Sequence, residues 1–183
     1  MEAATLEYSK AFTAKRLNAH YIRMDIPFNF SALNNAAVAK CAGDFVLFLN
    51  NDTQAINPDW LREMVRELQR PNVGIVGAKL LYADETVQHA GVIYGLGDVA
   101  GHSFRHLEDE DGGHMQRANL IQEYLAVTGA CLMTKKDLFL RLNGFDEENL
   151  GVAYNDIDYC LKVHQLGYKV CLLYTSPSPR DRG

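Results

Sequence analysis

The stretch DFVLFLNNDTQ, residues 44–54, decides how this chain is read. Val46, Leu47, Phe48 and Leu49 form an apolar run of the kind expected for a strand buried on both faces, and the chain then passes without a spacer to Asn50, Asn51 and Asp52. In open α/β sheets ligands bind beyond the carboxyl ends of the strands, so the two amides and the carboxylate stand where a crevice is expected. A carboxylate there suits Mg²⁺ or Mn²⁺, which bind through one or two protein carboxylates together with substrate phosphates. Amides donate to phosphate oxygens or sugar hydroxyls without adding negative charge. Asn-Asn-Asp-Thr is also good turn sequence, because Asn and Asp bond their own backbone. Local sequence leaves both readings open.

Working outward, helical and strand-like patterns alternate, which predicts α/β layers around a mainly parallel sheet. The Ala-rich run SALNNAAVAKC, residues 31–41, reads as a helix stopped by Gly43 before the strand at 45–49. Asn57 suits a helix cap and Pro58 the first helical position, with Leu61, Met64, Val65 and Leu68 making one apolar face. Strands are expected at 73–82, 89–95 and 126–133. Helices are expected near 135–142, ended by Gly144, and at 158–165, ended by Gly167. Residues 97–113, rich in Gly, His and acidic side chains, read as a mobile surface loop.

A chain of 183 residues that is 48% hydrophobic and 10% aromatic builds one sizeable core. Its formal net charge of −5 lacks the basic footprint that nucleic-acid binding needs. Cys41, Cys131, Cys160 and Cys171 are scattered without a C-x-x-C pair or zinc spacing, so they read as reduced core thiols of a cytoplasmic protein. No apolar run approaches the ~20 residues of a membrane span, and MEAATLEYSK lacks the features of a signal peptide. Peripheral association with the inner face of a membrane stays open.

A second acidic site lies in YNDIDYCLKVHQLGY, residues 154–168. Asp156 and Asp158, two apart at a helix entry, do not share a helical face, so one can cap while the other points into a cleft. Two carboxylates favoured by the helix dipole is the alternative. His89 and His102 are candidate metal or phosphate ligands, although neither belongs to a spaced pair such as H-E-x-x-H. The absence of G-x-S-x-G, Walker and dinucleotide fingerprints removes the main support for serine hydrolases, P-loop enzymes and Rossmann dehydrogenases.

The segments FNFSALNNAA, GDFVLFLNNDT, PDWLREM, VGIVGAKLLY, QHAGVIYGLG, VTGACLMTKKDLF, LNGFDEENLGVAYNDIDYCLKV and LGYKV, in this order, resemble the family 2 nucleotide-sugar glycosyltransferases, in particular the rhamnosyltransferase-like branch that builds bacterial surface polysaccharide. The resemblance implies a GT-A, Rossmann-like three-layer α/β sandwich with a mixed, mainly parallel central sheet. It also implies inverting transfer of a sugar from a dTDP-, UDP- or GDP-linked donor to a saccharide or lipid-linked acceptor, with a divalent cation as cofactor. By the same resemblance NNDT is a form of the D-x-D signature. Asp52 becomes the metal ligand, with Asn50 and Asn51 beside it, and Asn34 and Asn35 flank the nucleotide. NDID stands where the family reads E-D-x-D, which makes Asp156 the catalytic base and Asp158 a supporting residue or cap. Gly129 in VTGA lines the donor cleft, and His89 falls on the acceptor side.

The first nucleotide-binding strand of the family has no counterpart here, and CLLYTSPSPRDRG departs from the family's continuation. Residues 1–170 are therefore expected to form a partial catalytic domain, incomplete at its start, with 171–183 an extraneous or disordered tail. A non-catalytic transferase-like binding module and a metal-dependent hydrolase or nucleotidyltransferase use the same residues and remain as alternatives.

Overall fold

The computed structural model describes residues 3–95, 100–174 and 180–181. Helices α1 (Ala3–Ala14) and α2 (Phe30–Lys40) come first, followed by β1 (Phe45–Leu49), β2 (Thr53–Gln54), α3 (Trp60–Leu68) and β3 (Val73–Ala78). Short strands β4 (Leu80–Leu81), β5 (Val87–His89), β6 (Val92–Tyr94), β7 (Ala100–His102) and β8 (Gln122–Glu123) lead to β9 (Cys131–Lys135) and α4 (Lys136–Arg141). The chain then forms α5 (Asn155–Gln165), β10 (Lys169–Leu173) and β11 (Arg180–Asp181). Among the described residues no helix is long and apolar enough to cross a membrane.

The central sheet runs β1-β9-β3-β10-β8 and is mixed, with helices on both faces. Parallel pairing is confined to β3 with β10, and β9 is antiparallel to both of its neighbours. The sheet is mixed, as expected, and β1, β3 and β10 run in one direction, although only one of its pairings is parallel. The reason is topological: α3 returns the chain so that β3 runs with β1, and the strand-wide gap between them is filled by β9 from the opposite direction.

Alternation along the strands sorts the core into two layers. Ile75, Leu132, Val170 and Leu172 face Leu138, Phe139, Tyr159 and Val163 of α4 and α5. Val76, Ala78, Cys131, Met133, Cys171 and Leu173 face Met64 and Leu68 of α3. Met64 and Leu68 are 1% and 0% exposed, and burying each contributes about 1.5–3 kcal/mol. These layers make the three-layer sandwich.

β1 is not buried on both faces: Phe45 and Leu49 remain 36% and 45% exposed, because β1 pairs only with β9 among the described strands. Helix α3 begins at Trp60, later than Asn57 suggested, since Asn57 Oδ1 accepts the Asp59 N–H (2.8 Å) in a turn ahead of the helix. Helix α5 begins three residues earlier than expected, at Asn155. The 126–133 strand starts only at Cys131, and the 73–82 strand breaks at Lys79. Lys79, 1% exposed, pairs with Asp109 and donates to Asn119 Oδ1 (3.1 Å). Much of the expected surface loop is thereby pinned to the sheet, while its residues 97–99 lie outside the described residues.

The sheet also reaches past residue 170, the expected domain end, because Cys171, Leu172 and Leu173 alternate between the two cores. Cys131, Cys160 and Cys171 are buried, and burial raises the Cys131 thiol to about 12 and that of Cys171 to about 11. Cys41 is exposed, unlike the core thiol expected.

Helix α2 changes the reading of two candidate residues. Asn34 Nδ2 donates to its own helix at Phe30 O (2.8 Å). Asn35 is a bracket: its Nδ2 donates to Phe145 O (2.9 Å) and Glu147 Oε2 (3.0 Å), and its Oδ1 accepts the Phe145 N–H (3.0 Å). Asn35 is thus engaged in holding α2 to the 143–147 turn and Asn34 in its own helix, and neither lines the large cleft described below. Asn35→Ala strands both backbone groups of Phe145 and is expected to lower the unfolding free energy by about 1–3 kcal/mol. Denaturant titration reads that loss, and nucleotide binding should survive it.

Candidate active site

The pairing of Leu49 with Cys131 sets the carboxyl end of β1 against the entry to β9. Beyond it the Asn50 N–H donates to Ala130 O (3.0 Å). Asn50 O accepts both the Thr53 N–H (3.3 Å) and the Thr53 hydroxyl (2.7 Å), which closes a turn. Asn50, Asn51 and Asp52 therefore border one side of an open cleft of about 650 Å³. Thr128, Gly129 and Ala130 line it as well, as do Tyr154, Asn155 and Asp156. Five of the predicted residues, Asn50, Asn51, Asp52, Gly129 and Asp156, meet here.

Asp156 is delivered by the first turn of α5, where a carboxylate is favoured by the helix dipole. The turn is entered through Tyr154, which adopts a left-handed conformation (φ 62°) while remaining half exposed. Such a conformation in a bulky residue stores strain and is found where the surroundings impose it. Asn155, buried next to it, donates to Leu150 O (3.3 Å) and anchors the turn. The Asp156 carboxylate is then oriented by two amides: Gly129 N–H donates to Oδ2 (2.9 Å) and Ile157 N–H to Oδ1 (2.8 Å). Asp158 does not line the cleft. It points along its own helix to Lys162 Nζ (2.7 Å), a supporting ion pair and no side-chain cap.

Asp52 Oδ1 is buried and has no hydrogen-bond partner among the described residues. A carboxylate oxygen left unsatisfied in this way fits a cation ligand. No three His, Cys, Asp or Glu side chains converge as a metal-binding group among the described residues. A hard cation held by Asp52 would thus complete its shell with phosphate oxygens and water.

His89 lies behind the cleft wall, in a second cavity of about 150 Å³ that shares Thr128 and Ala130 with the first. Its Nδ1 is 2.7 Å from His102 Nδ1, and its Nε2 accepts the Thr128 N–H (3.3 Å). The structure thus brings together His89 and His102, which sequence spacing had left unconnected, because the antiparallel β6–β7 ribbon folds residue 102 back across residue 92. Arg105 lines the same cavity and was missed; a basic residue three after His102 was its only signal. Thr128 was missed too, although it precedes Gly129 in VTGA.

Burial, and next the charge of His102, hold the His89 pKa well below its ordinary value. The unfolded chain takes up this proton below about pH 6.5 while the folded protein resists it. The stability from His89 is therefore present above that pH and lost as pH falls below it. The unfolding midpoint is expected to drop between about pH 7.5 and about pH 5.5, and to drop less in His89→Gln; equal drops would remove His89 as the cause.

The profile of Glycosyl transferase family 2 matches residues 2–140. Uncharacterized protein y4gI of Sinorhizobium fredii is 49% identical over 168 residues, which make up 92% of this chain and 18% of that protein. O-antigen biosynthesis protein RfbC of Myxococcus xanthus is 41% identical over 150 residues, 80% of this chain and 12% of that protein. The chain thus spans 18% or less of the length of these two relatives. Among solved structures, GalNAc-T7 with UDP, GalNAc and Mn²⁺ superposes with a TM-score of 0.72 at 11% identity, covering 98% of this chain and 35% of that one. Mannosyltransferase PcManGT of Pyrobaculum calidifontis, in complex with GDP-Man and Mn²⁺, superposes with a TM-score of 0.62 at 15% identity, covering 96% and 46%. At these identities the likeness speaks for the fold, which is of the GT-A type. With most of its length inside the family profile, the chain belongs to glycosyl transferase family 2.

Proposed function

We propose that this chain carries the transfer site of an inverting glycosyltransferase, which moves a sugar from a nucleoside-diphosphate donor to a hydroxyl of a saccharide or lipid-linked acceptor. The observation that supports the reading is that two carboxylates line one cleft: Asp52 with an unsatisfied oxygen, and Asp156 oriented by the Gly129 amide. A role in making bacterial surface polysaccharide draws on the name of the Myxococcus relative, an O-antigen biosynthesis protein.

Asp156 accepts the proton of the acceptor hydroxyl while that oxygen forms its bond to the anomeric carbon. The bond from that carbon to the diphosphate oxygen breaks, and its electron pair leaves with the diphosphate. Attack opposite the leaving group inverts the anomeric centre. A divalent cation, when bound at Asp52, neutralises charge on the departing diphosphate. Asn50 and Asn51, whose side-chain amides are engaged by no other described residue, are free to donate to phosphate or sugar oxygens. Gly129 keeps the base aimed across the cleft. A glycosidase would commonly need a second carboxyl group to protonate its leaving oxygen, whereas a diphosphate departs as a weakly basic anion without that proton.

Asp156→Asn is expected to lower transfer by about 10²–10⁴-fold while leaving Mn²⁺-dependent nucleotide binding unchanged. Asp52→Asn should instead weaken that binding and its metal dependence. Both are measured with dTDP-, UDP- and GDP-sugars, following release of the nucleoside diphosphate with and without saccharide acceptors. Turnover retained in Asp156→Asn removes it as the base, and release independent of any acceptor favours a hydrolase.

A further inference from the structure

We propose that the cavity behind Thr128 is an anion-binding subsite in which Arg105, His102 and Tyr82 hold a carboxylate or phosphate group. That this group belongs to the acceptor rests on the transfer reading above; the anion site itself does not.

The direction of the hydrogen bonds determines what the cavity offers. A backbone N–H only donates, so the Thr128 amide makes His89 Nε2 an acceptor (3.3 Å). A neutral His89 then carries its proton on Nδ1 and donates it to His102 Nδ1 (2.7 Å). His102, also neutral, is left with its proton on Nε2, and that N–H meets no hydrogen-bond partner among the described residues. Burial depresses the pKa of both rings; Arg105 lowers that of His102 further, and Asp156 only partly offsets this. The neutral pair required by the argument is thus the favoured state.

Two more donors stand beside this one. Arg105 Nε donates to the Tyr82 oxygen (2.8 Å), and its terminal nitrogens bond to no described residue. The Tyr82 hydroxyl, having accepted, keeps its own proton to give. Its ring is stacked on His106 with centroids 5.2 Å apart, which holds the hydroxyl in place. No Asp or Glu lines the cavity. Three donors, one permanently charged, without a lining carboxylate make an environment for an anion, and a guanidinium suits the planar carboxylate or the phosphate alike.

The position suits an acidic acceptor. Thr128 and Ala130 form the wall shared with the transfer cleft, so a group seated here lies next to the sugar that presents its hydroxyl to Asp156. Arg105 and His102 would then favour an acceptor bearing a uronic acid or a phosphate over a neutral one.

The test titrates the whole chain with glucuronate, inorganic phosphate and glucose, without donor or turnover. Calorimetry gives the affinity, and long-range ¹H–¹⁵N correlation gives the tautomers. Protons on His89 Nδ1 and His102 Nε2 are expected, with glucuronate or phosphate bound and glucose not. Arg105→Gln and His102→Phe should each weaken the anion at least about tenfold and leave Mn²⁺-dependent nucleotide binding unchanged. Preference for glucuronate identifies an acidic sugar as the source, and preference for phosphate a phosphorylated one. The proposal is overturned if neither anion binds, if glucose binds as tightly, or if both variants bind like the parent. Since no donor is present, anion binding can fail while transfer succeeds, and transfer can fail while anion binding holds.

Discussion

The hydrogen bond from the Gly129 amide to Asp156 Oδ2 is the contact on which the site depends. It ties the entry of a central strand to the first turn of a helix distant in sequence, and so joins two stretches of the cleft lining. A bond to an ionised acceptor contributes about 1.5–3 kcal/mol net. What position 129 must supply is this N–H and not the absence of a side chain: an added Cβ would meet Asp156 Cβ at 3.6 Å and the Phe30 ring at 3.7 Å, ordinary contact distances. The near side of the cleft is registered to the same strand, through Leu49 opposite Cys131 and Asn50 bonded to Ala130. One strand entry thereby places both carboxylates.

The turn at residues 50–53 and the place of these residues on the cleft edge are not competing explanations. Asn50 uses its backbone N–H and carbonyl to close the turn with Ala130 and Thr53, which leaves its side chain out of the accounting. A turn made entirely by backbone and one hydroxyl sets two amides and a carboxylate at a cleft edge without consuming them. Asp52 shows the consequence, with a buried oxygen that no described residue satisfies.

Elements with a strong local signal were legible in the sequence. The Ala-rich α2, the amphipathic α3 and the uniformly apolar β3 lie within a few residues of where pattern put them; Met64 and Leu68 of α3 are buried at helical spacing, and every residue of β3 is buried. Asn50, Asn51, Asp52, Gly129 and Asp156 come together along one cleft because they lie at or near the ends of β1, β9 and α5. Asn34 and Asn35 lie outside the cleft lining: helix periodicity does not say which neighbour an amide finds, and the 143–147 turn that captures Asn35 is remote in sequence. The antiparallel insertion of β9 was illegible for a related reason. A fully buried strand has the same apolar run in either direction, so composition carries no information about its sense. His89 and His102 fell between these cases, visible singly and unpairable until the β6–β7 ribbon is known.

Consecutive amides of one short segment serve both cavities: the Thr128 N–H goes to His89 and the Gly129 N–H to Asp156. The next residue is held as well, since Ala130 O accepts from Asn50. A segment fixed at three successive residues cannot turn toward one partner without drawing away from another. The orientation of the His pair and that of Asp156 are therefore set by one piece of backbone, and the donor left on His102 Nε2 follows from the same constraint that aims the carboxylate. The two cavities are better regarded as two faces of a single wall than as separate sites. Their polar chemistry differs because the wall presents an amide to a carboxylate on one face and to an imidazole on the other.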